Sequence, residues 1–131
     1  ITPLYPSLVQ LKCDKEQVKG LKGLKQFSLV KAVVDGKTVA QCKGDVLFTD
    51  YGISGNAVFY VSAYLSGKQN RSVIIDLCPQ IDKNELTSFL NYKIKNCSYL
   101  KVEDLFSGII NKKVALAVLK NKFKSLRRIN K

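Results

Sequence analysis

Apolar and polar positions first become regular at Phe27, where the β-forming run to Val34 predicts a strand, Asp35-Gly36 a two-residue hairpin turn, and Thr38 to Cys42 the returning strand. Gly44-Asp45 then reads as a turn into a third short strand, Val46-Leu47-Phe48. Upstream, Pro3 and Pro6 make the entry extended, and Leu8, Val9 and Leu11 suggest a short strand ending near Cys13. Ala57 to Leu65 is almost wholly apolar, so periodicity alone does not separate strand from helix. Ser54 as an N-cap and Ser66-Gly67 as a stop favour a helix there. Arg71 to Leu77 is apolar on both faces around Val73, Ile74 and Ile75, which predicts a central or covered strand.

The period changes after Pro79. Asp82, with Glu85 three residues on, imitates a capping box, and Leu86, Phe89, Leu90, Ile94 and Cys97 fall at helical spacing. Val102 to Ile110 and Val114 to Leu126 predict two more helices, the second with a stripe of Val114, Val118, Leu119, Phe123 and Leu126. The expected fold class is therefore α+β: a small barrel-like antiparallel sheet over residues 1–80, with one helix near 55–66, followed by a helical subdomain over 81–131. A chain of 131 residues with 46% hydrophobic and 24% charged positions can bury one ordinary core, and no stretch approaches a transmembrane run. The chain opens on Ile1, holds no methionine and shows no signal peptide at its start, from which we expect a piece of a longer product.

Charge and cysteine change the picture mainly by exclusion. The formal charge is +12, and Lys112 to Lys131 carries eight basic residues without an acidic one. Such a tail can attract RNA or another polyanion. Lysine outnumbers arginine heavily, however, and recognition of phosphates or base edges leans on the bidentate arginine fork, so a solvated helix face is the preferred reading. Cys13, Cys42, Cys78 and Cys97 include no C-x-x-C pair and read as small buried apolar residues, with a metal site or a disulfide as alternatives. With no histidine in the sequence, neither a Ser-His-Asp nor a Cys-His nucleophile can be built from these residues.

Paired glycines occur in Gly20-Leu21-Lys22-Gly23 and Gly52-Ile53-Ser54-Gly55. The first resembles a backbone-clamping G-x-x-G loop, but Phe27 onward reads as a strand instead of the helix such a loop requires, so an ordinary turn is expected. Neither pair extends to a dinucleotide fingerprint or a P-loop. Around the second, Thr49, Asp50, Tyr51 and Ser54 gather hydrogen-bonding groups where a helix N-terminus would expose free N–H groups. Such a cluster can line a site or merely satisfy a tight turn.

Gly44 to Gly55, read as G-D-V-L-F-T-D-Y-G-I-S-G, resembles the G-[ED]-x-L-F-T-x-x-G-x-S-G signature of the BaiN-like (YhiN-like) NAD(P)/FAD-dependent oxidoreductases, the aminoacetone oxidase family. The opening Thr2-Pro3-Leu4-Tyr5-Pro6-Ser7-Leu8-Val9 is similar to that family's T-x-x-x-P-x-L-V segment. Asn56 stands where the family usually has proline, and Asp50 where relatives often carry histidine, so Asp50 is given no proton-transfer role. The resemblance implies an insert folded as a small barrel plus helices, leaning over the flavin of a parent enzyme. FAD would be the parent's cofactor and NAD(P)H a candidate co-substrate. The partners would be the flanking FAD-binding domain of the same chain and a small-molecule substrate, with neither nucleic acid nor membrane among them. Thr49, Tyr51, Gly52, Ser54 and Gly55 are the expected residues facing flavin or substrate; no catalytic residue and no metal ligand is assigned.

Overall fold

The computed structural model describes residues 9–97 and 104–119. In chain order the elements are β1 (Leu11–Lys12), α1 (Lys15–Val18), β2 (Lys25–Val34), β3 (Lys37–Phe48), β4 (Gly52–Ser54), α2 (Asn56–Leu65), β5 (Arg71–Asp76) and α3 (Lys83–Asn96). Residues 112–119 add a further helical segment. The described strands form one antiparallel sheet in the order β1-β4-β3-β2-β5, curled into a half-barrel.

The β2–β3 hairpin is the frame. Asp35 and Gly36 take φ of 52° and 78°, the left-handed pair that lets two right-twisted strands meet through a two-residue turn. Ser28, Val30 and Ala32 of β2 point inward and are fully buried, while Phe27 on the other face is half exposed. The expected turn at Gly44-Asp45 is absent: Gly44 pairs with Ser28 and Asp45 with Phe27 inside an unbroken β3. Because β2 begins as early as Lys25, the returning strand has partners along its whole length. Gly44 serves close approach instead, since a Cβ there would stand 2.6 Å from Asn56 Oδ1 and 3.2 Å from Ala57 Cβ at the start of α2.

Helix α2 fills the concave side. Its Ala57, Val58, Val61 and Leu65 pack on Val30 and Val46 of the hairpin and Ile53 of β4, leaving Phe59, Tyr60 and Tyr64 outward. Ser66 ends it, donating through N–H and Oγ to Ser62 O, and Gly67 comes next at φ 73°. The helix and its stop are as the sequence predicts.

Two strands differ from expectation. The first is shorter, pairing only Leu11 with Ile53 and Lys12 with Gly52, and Leu8 lies outside the described residues. β5 is an edge strand, not a central one: Val73 and Ile75 pack on the core, but Ile74 on the other face is 53% exposed. An apolar run records two faces able to be covered, and within the described residues only one of them is.

Asp82 caps α3 by accepting from Asn84 N at 3.0 Å. No residue of α3 is buried, so its apolar stripe does not reach the core. Of the next predicted helix, residues 102–103 lie outside the described residues and 104–110 form successive turns, with Gly108 at φ 84°. In the segment 112–119, Val114 and Ala115 are buried and Val114 joins the same core as the sheet, whereas Val118 is exposed. Phe123, Leu126 and the basic residues from Lys120 onward lie outside the described residues. No helix among the described residues is long and apolar enough to cross a membrane.

Candidate functional site

Phe48 ends β3 and hands the chain to a tight reversal. Thr49 N donates to Gly52 O at 3.0 Å, and Gly52 N returns a bond to Thr49 Oγ1 at 3.1 Å, so the threonine side chain closes its own turn. The loop from Gly20 to Gly23 is an ordinary turn, as expected, with both glycines at positive φ and β2 just beyond. It buttresses the reversal, Gly23 N donating to Phe48 O and Phe48 N to Leu24 O, each at 2.9 Å. Lys22 Nζ reaches Asp50 Oδ2 at 3.1 Å, but both side chains are about 70% exposed, where an ion pair contributes little.

The glycines of the motif have steric reasons. A Cβ on Gly52 would run into Leu11 O, so β1 approaches β4 only because Gly52 has none. Gly55 sits at φ 111° and ψ 165°, a region reserved for glycine, and a Cβ there would strike Asp45 O. Ser54 does not cap α2. It is the last residue of β4, paired with Leu47 and 7% exposed, and Gly55 is the N-cap without a side-chain bond. The helix begins one residue later than expected because the chain needs the Gly55 conformation to leave the sheet.

That geometry bears on dinucleotide binding. A pyrophosphate needs an open helix N-terminus, whereas here β3 backbone abuts Gly55 and Asn56 Oδ1 accepts from Ala57 N at 2.8 Å. The start of α2 does not fit a flavin pyrophosphate, and no step is assigned to such a group here.

Of the five expected site residues, Thr49 and Gly52 are joined in the turn, and Ser54 and Gly55 anchor the sheet-to-helix passage. Tyr51, half-buried, faces a depression of about 430 Å³ whose other walls are Lys12, Cys13 and Lys15. Tyr51 O accepts from Cys13 N at 2.8 Å, tying the two chain segments together. Sequence reasoning missed Lys12, Cys13 and Lys15, because nothing local to them signals that β1 pairs with a strand some forty residues away. A larger cleft of about 960 Å³, which shares Lys12 and Cys13 with this depression, lies between β1, the end of α2 and β5.

The four cysteines are free thiols and half-buried, where buried apolar residues were expected. Burial pushes the Cys13 thiol above its ordinary pKa, and burial together with the Asp76 carboxylate, the smaller cause, does the same for Cys78. Both therefore alkylate more slowly at neutral pH than they do in the unfolded chain, a difference that timed iodoacetamide labelling read by mass spectrometry would measure. Since the native state holds these protons more tightly, their contribution to stability is complete below the unfolded thiol pKa and is lost as pH rises through the folded one. Among the described residues no group of three or more metal-ligating side chains is found.

With that geometry in place, comparison with known proteins is informative. A family model described as "HI0933-like protein barrel and H2TH domain" matches residues 5–129. The 3-dehydro-bile acid delta(4,6)-reductase of Clostridium scindens is 29% identical over 119 residues, covering 87% of this chain and 29% of the reductase. The chain thus spans less than a third of the length of this curated relative.

Proposed function

The chain belongs to the HI0933-like barrel and H2TH domain family, an insert domain of flavoprotein oxidoreductases, and from that membership we propose that it forms the substrate-side cover over the FAD of a larger cytoplasmic enzyme. The observation that carries this reading is the match across residues 5–129 to a domain that fills only 29% of a reductase relative. FAD carries the electrons and NAD(P)H is the co-substrate. The insert excludes water and shapes the pocket for a small molecule, so it is not catalytic alone. The closed start of α2 supports this division, since the dinucleotide must be held elsewhere. The named activity of the relative is a reduction, and a reductive direction is the one we adopt for the full-length protein.

Within this reading Tyr51 faces flavin or substrate. Thr49 and Gly52 hold its turn, while Ser54 and Gly55 fix that turn against α2. The full-length protein is expected to purify yellow and release FAD on denaturation, and residues 1–131 expressed alone to be colourless. A colourless full-length protein that takes up no flavin, or an isolated domain holding stoichiometric flavin, would overturn the proposal. Tyr51→Phe in the full-length enzyme is expected to lower kcat/KM by roughly tenfold, the scale of one lost hydrogen bond. Unchanged turnover together with an unchanged flavin spectrum would remove Tyr51 from the site.

A further inference from the structure

We propose that the outward face of α2, formed by Phe59, Tyr60, Ala63 and Tyr64, is the surface on which the FAD-binding domain of the full-length protein docks. The inference rests on the reading of this chain as a cover and adds the face through which the cover is held.

Helix α2 is apolar on both sides. Ala57, Val58, Val61 and Leu65 face the core, while Phe59, Tyr60 and Tyr64 on the opposite side are 37%, 48% and 43% exposed. Asn56, Phe59, Tyr60, Ala63 and Tyr64 follow the i, i+3, i+4, i+7, i+8 spacing of a single stripe, and a helix apolar all round is one that is covered all round. No charged residue falls between Gly52 and Gly67, in a chain where 24% of positions are charged. The contrast within the fold is α3, which has no buried residue and carries Lys83, Glu85, Lys93 and Lys95. A solvated helix of this protein is thus charged, and α2 is not. Aromatic residues without charge are the composition of the centre of a protein interface.

The two tyrosines are set in advance. Their ring centroids lie 5.6 Å apart and their hydroxyl oxygens 3.5 Å apart. Hydrogen bonding to Tyr64 pushes the Tyr60 phenol above its ordinary pKa, so the pair stays neutral. Rings that hold each other lose little side-chain freedom on docking and suit the role of anchors. They select an apolar surface with acceptors for two hydroxyls, and a polyanion would find no cation on this stripe. The covalent connection is at hand: Val9 N donates to Ser62 Oγ at 3.0 Å, and Ser62 Oγ donates to Phe59 O at 2.7 Å. Chain arriving from residues 1–8 therefore meets α2 within one turn of Phe59. The matched segment fills 29% of the reductase relative, which leaves the greater part of such an enzyme to supply the opposing surface. A partner tethered this close needs no separate encounter, which favours it over a second copy.

The test is hydroxyl-radical footprinting of the full-length flavoprotein, native and in urea, read by mass spectrometry at Phe59, Tyr60 and Tyr64. Native labelling is expected to be roughly tenfold slower than in urea, as for residues at the desolvated centre of an interface. Slowing only in proportion to the 37% to 48% exposure of an uncovered face would overturn the proposal. Protection that vanishes on dilution to monomer would assign the face to a second copy and overturn it equally. Ala63→Lys puts an ammonium group on the stripe; it is expected to lower the melting temperature and to raise labelling at Tyr60 and Tyr64, whereas Ala63→Ser should do neither. Wild-type melting and labelling in Ala63→Lys would mark the face as solvated and sink the contact. Failure of the parent reading would appear separately, as an absence of flavin absorbance.

Discussion

Gly55→Ala is expected to cost roughly 3 kcal/mol of folding stability, combining the penalty for a side chain in a glycine-only backbone region with that of overpacking against rigid backbone. The added methyl at φ 111° meets Asp45 O, which cannot withdraw without opening β3. Gly52→Ala should lose a similar amount for the second reason alone, because its Cβ meets the backbone of Leu11 and Lys12, which can move away only by giving up the pairing of β1 with β4. Gly36 supplies the control. It too has positive φ, 78°, but open space around it, so Gly36→Ala should cost only about 1 kcal/mol. Urea unfolding of the three variants decides between the two causes: if Gly52→Ala and Gly55→Ala fall no further than Gly36→Ala, the steric account of the motif is wrong.

Ile53→Ala should destabilise by about 3 kcal/mol, while Ile74→Ala should change stability by less than about 0.5 kcal/mol. Both residues are isoleucines in strands, so propensity and volume are matched. They differ in surroundings. Ile53 is 2% exposed, wedged between β1, β3 and α2 at the centre of the core, and β4 has only three residues to redistribute the loss. Ile74 is 53% exposed on the outer face of an edge strand. Thermal or urea unfolding that returned equal losses would mean that Ile74 is covered by something beyond the described residues.

In Gly44 to Gly55 each of the three glycines answers a local packing demand: Gly44 admits the start of α2, Gly52 admits β1, and Gly55 turns the chain against β3. Loss of binding in a glycine variant would therefore be expected from displacement of Tyr51, without any direct glycine contact to a ligand.

Local chemistry was enough for much of the fold. Asp35-Gly36 named its hairpin, Asp82 the start of α3, and Ser66-Gly67 the end of α2, because turn and cap preferences act over three or four residues. Gly44-Asp45 misled for the converse reason. A glycine chosen for close approach of a distant helix looks the same in sequence as one chosen for a turn, and only the position of Asn56 tells them apart. Ser54 misled likewise, a good capping residue that β4 had claimed.

By itself, then, the sequence determined the α+β class, the hairpin, the end of α2, the start of α3 and the family motif, since each rests on neighbours in the chain. Tertiary structure alone decided which face of Tyr51 met which residues. Pairing of β1 with β4 is a non-local contact between two short segments, and no local preference of Lys12, Cys13 or Lys15 encodes their meeting.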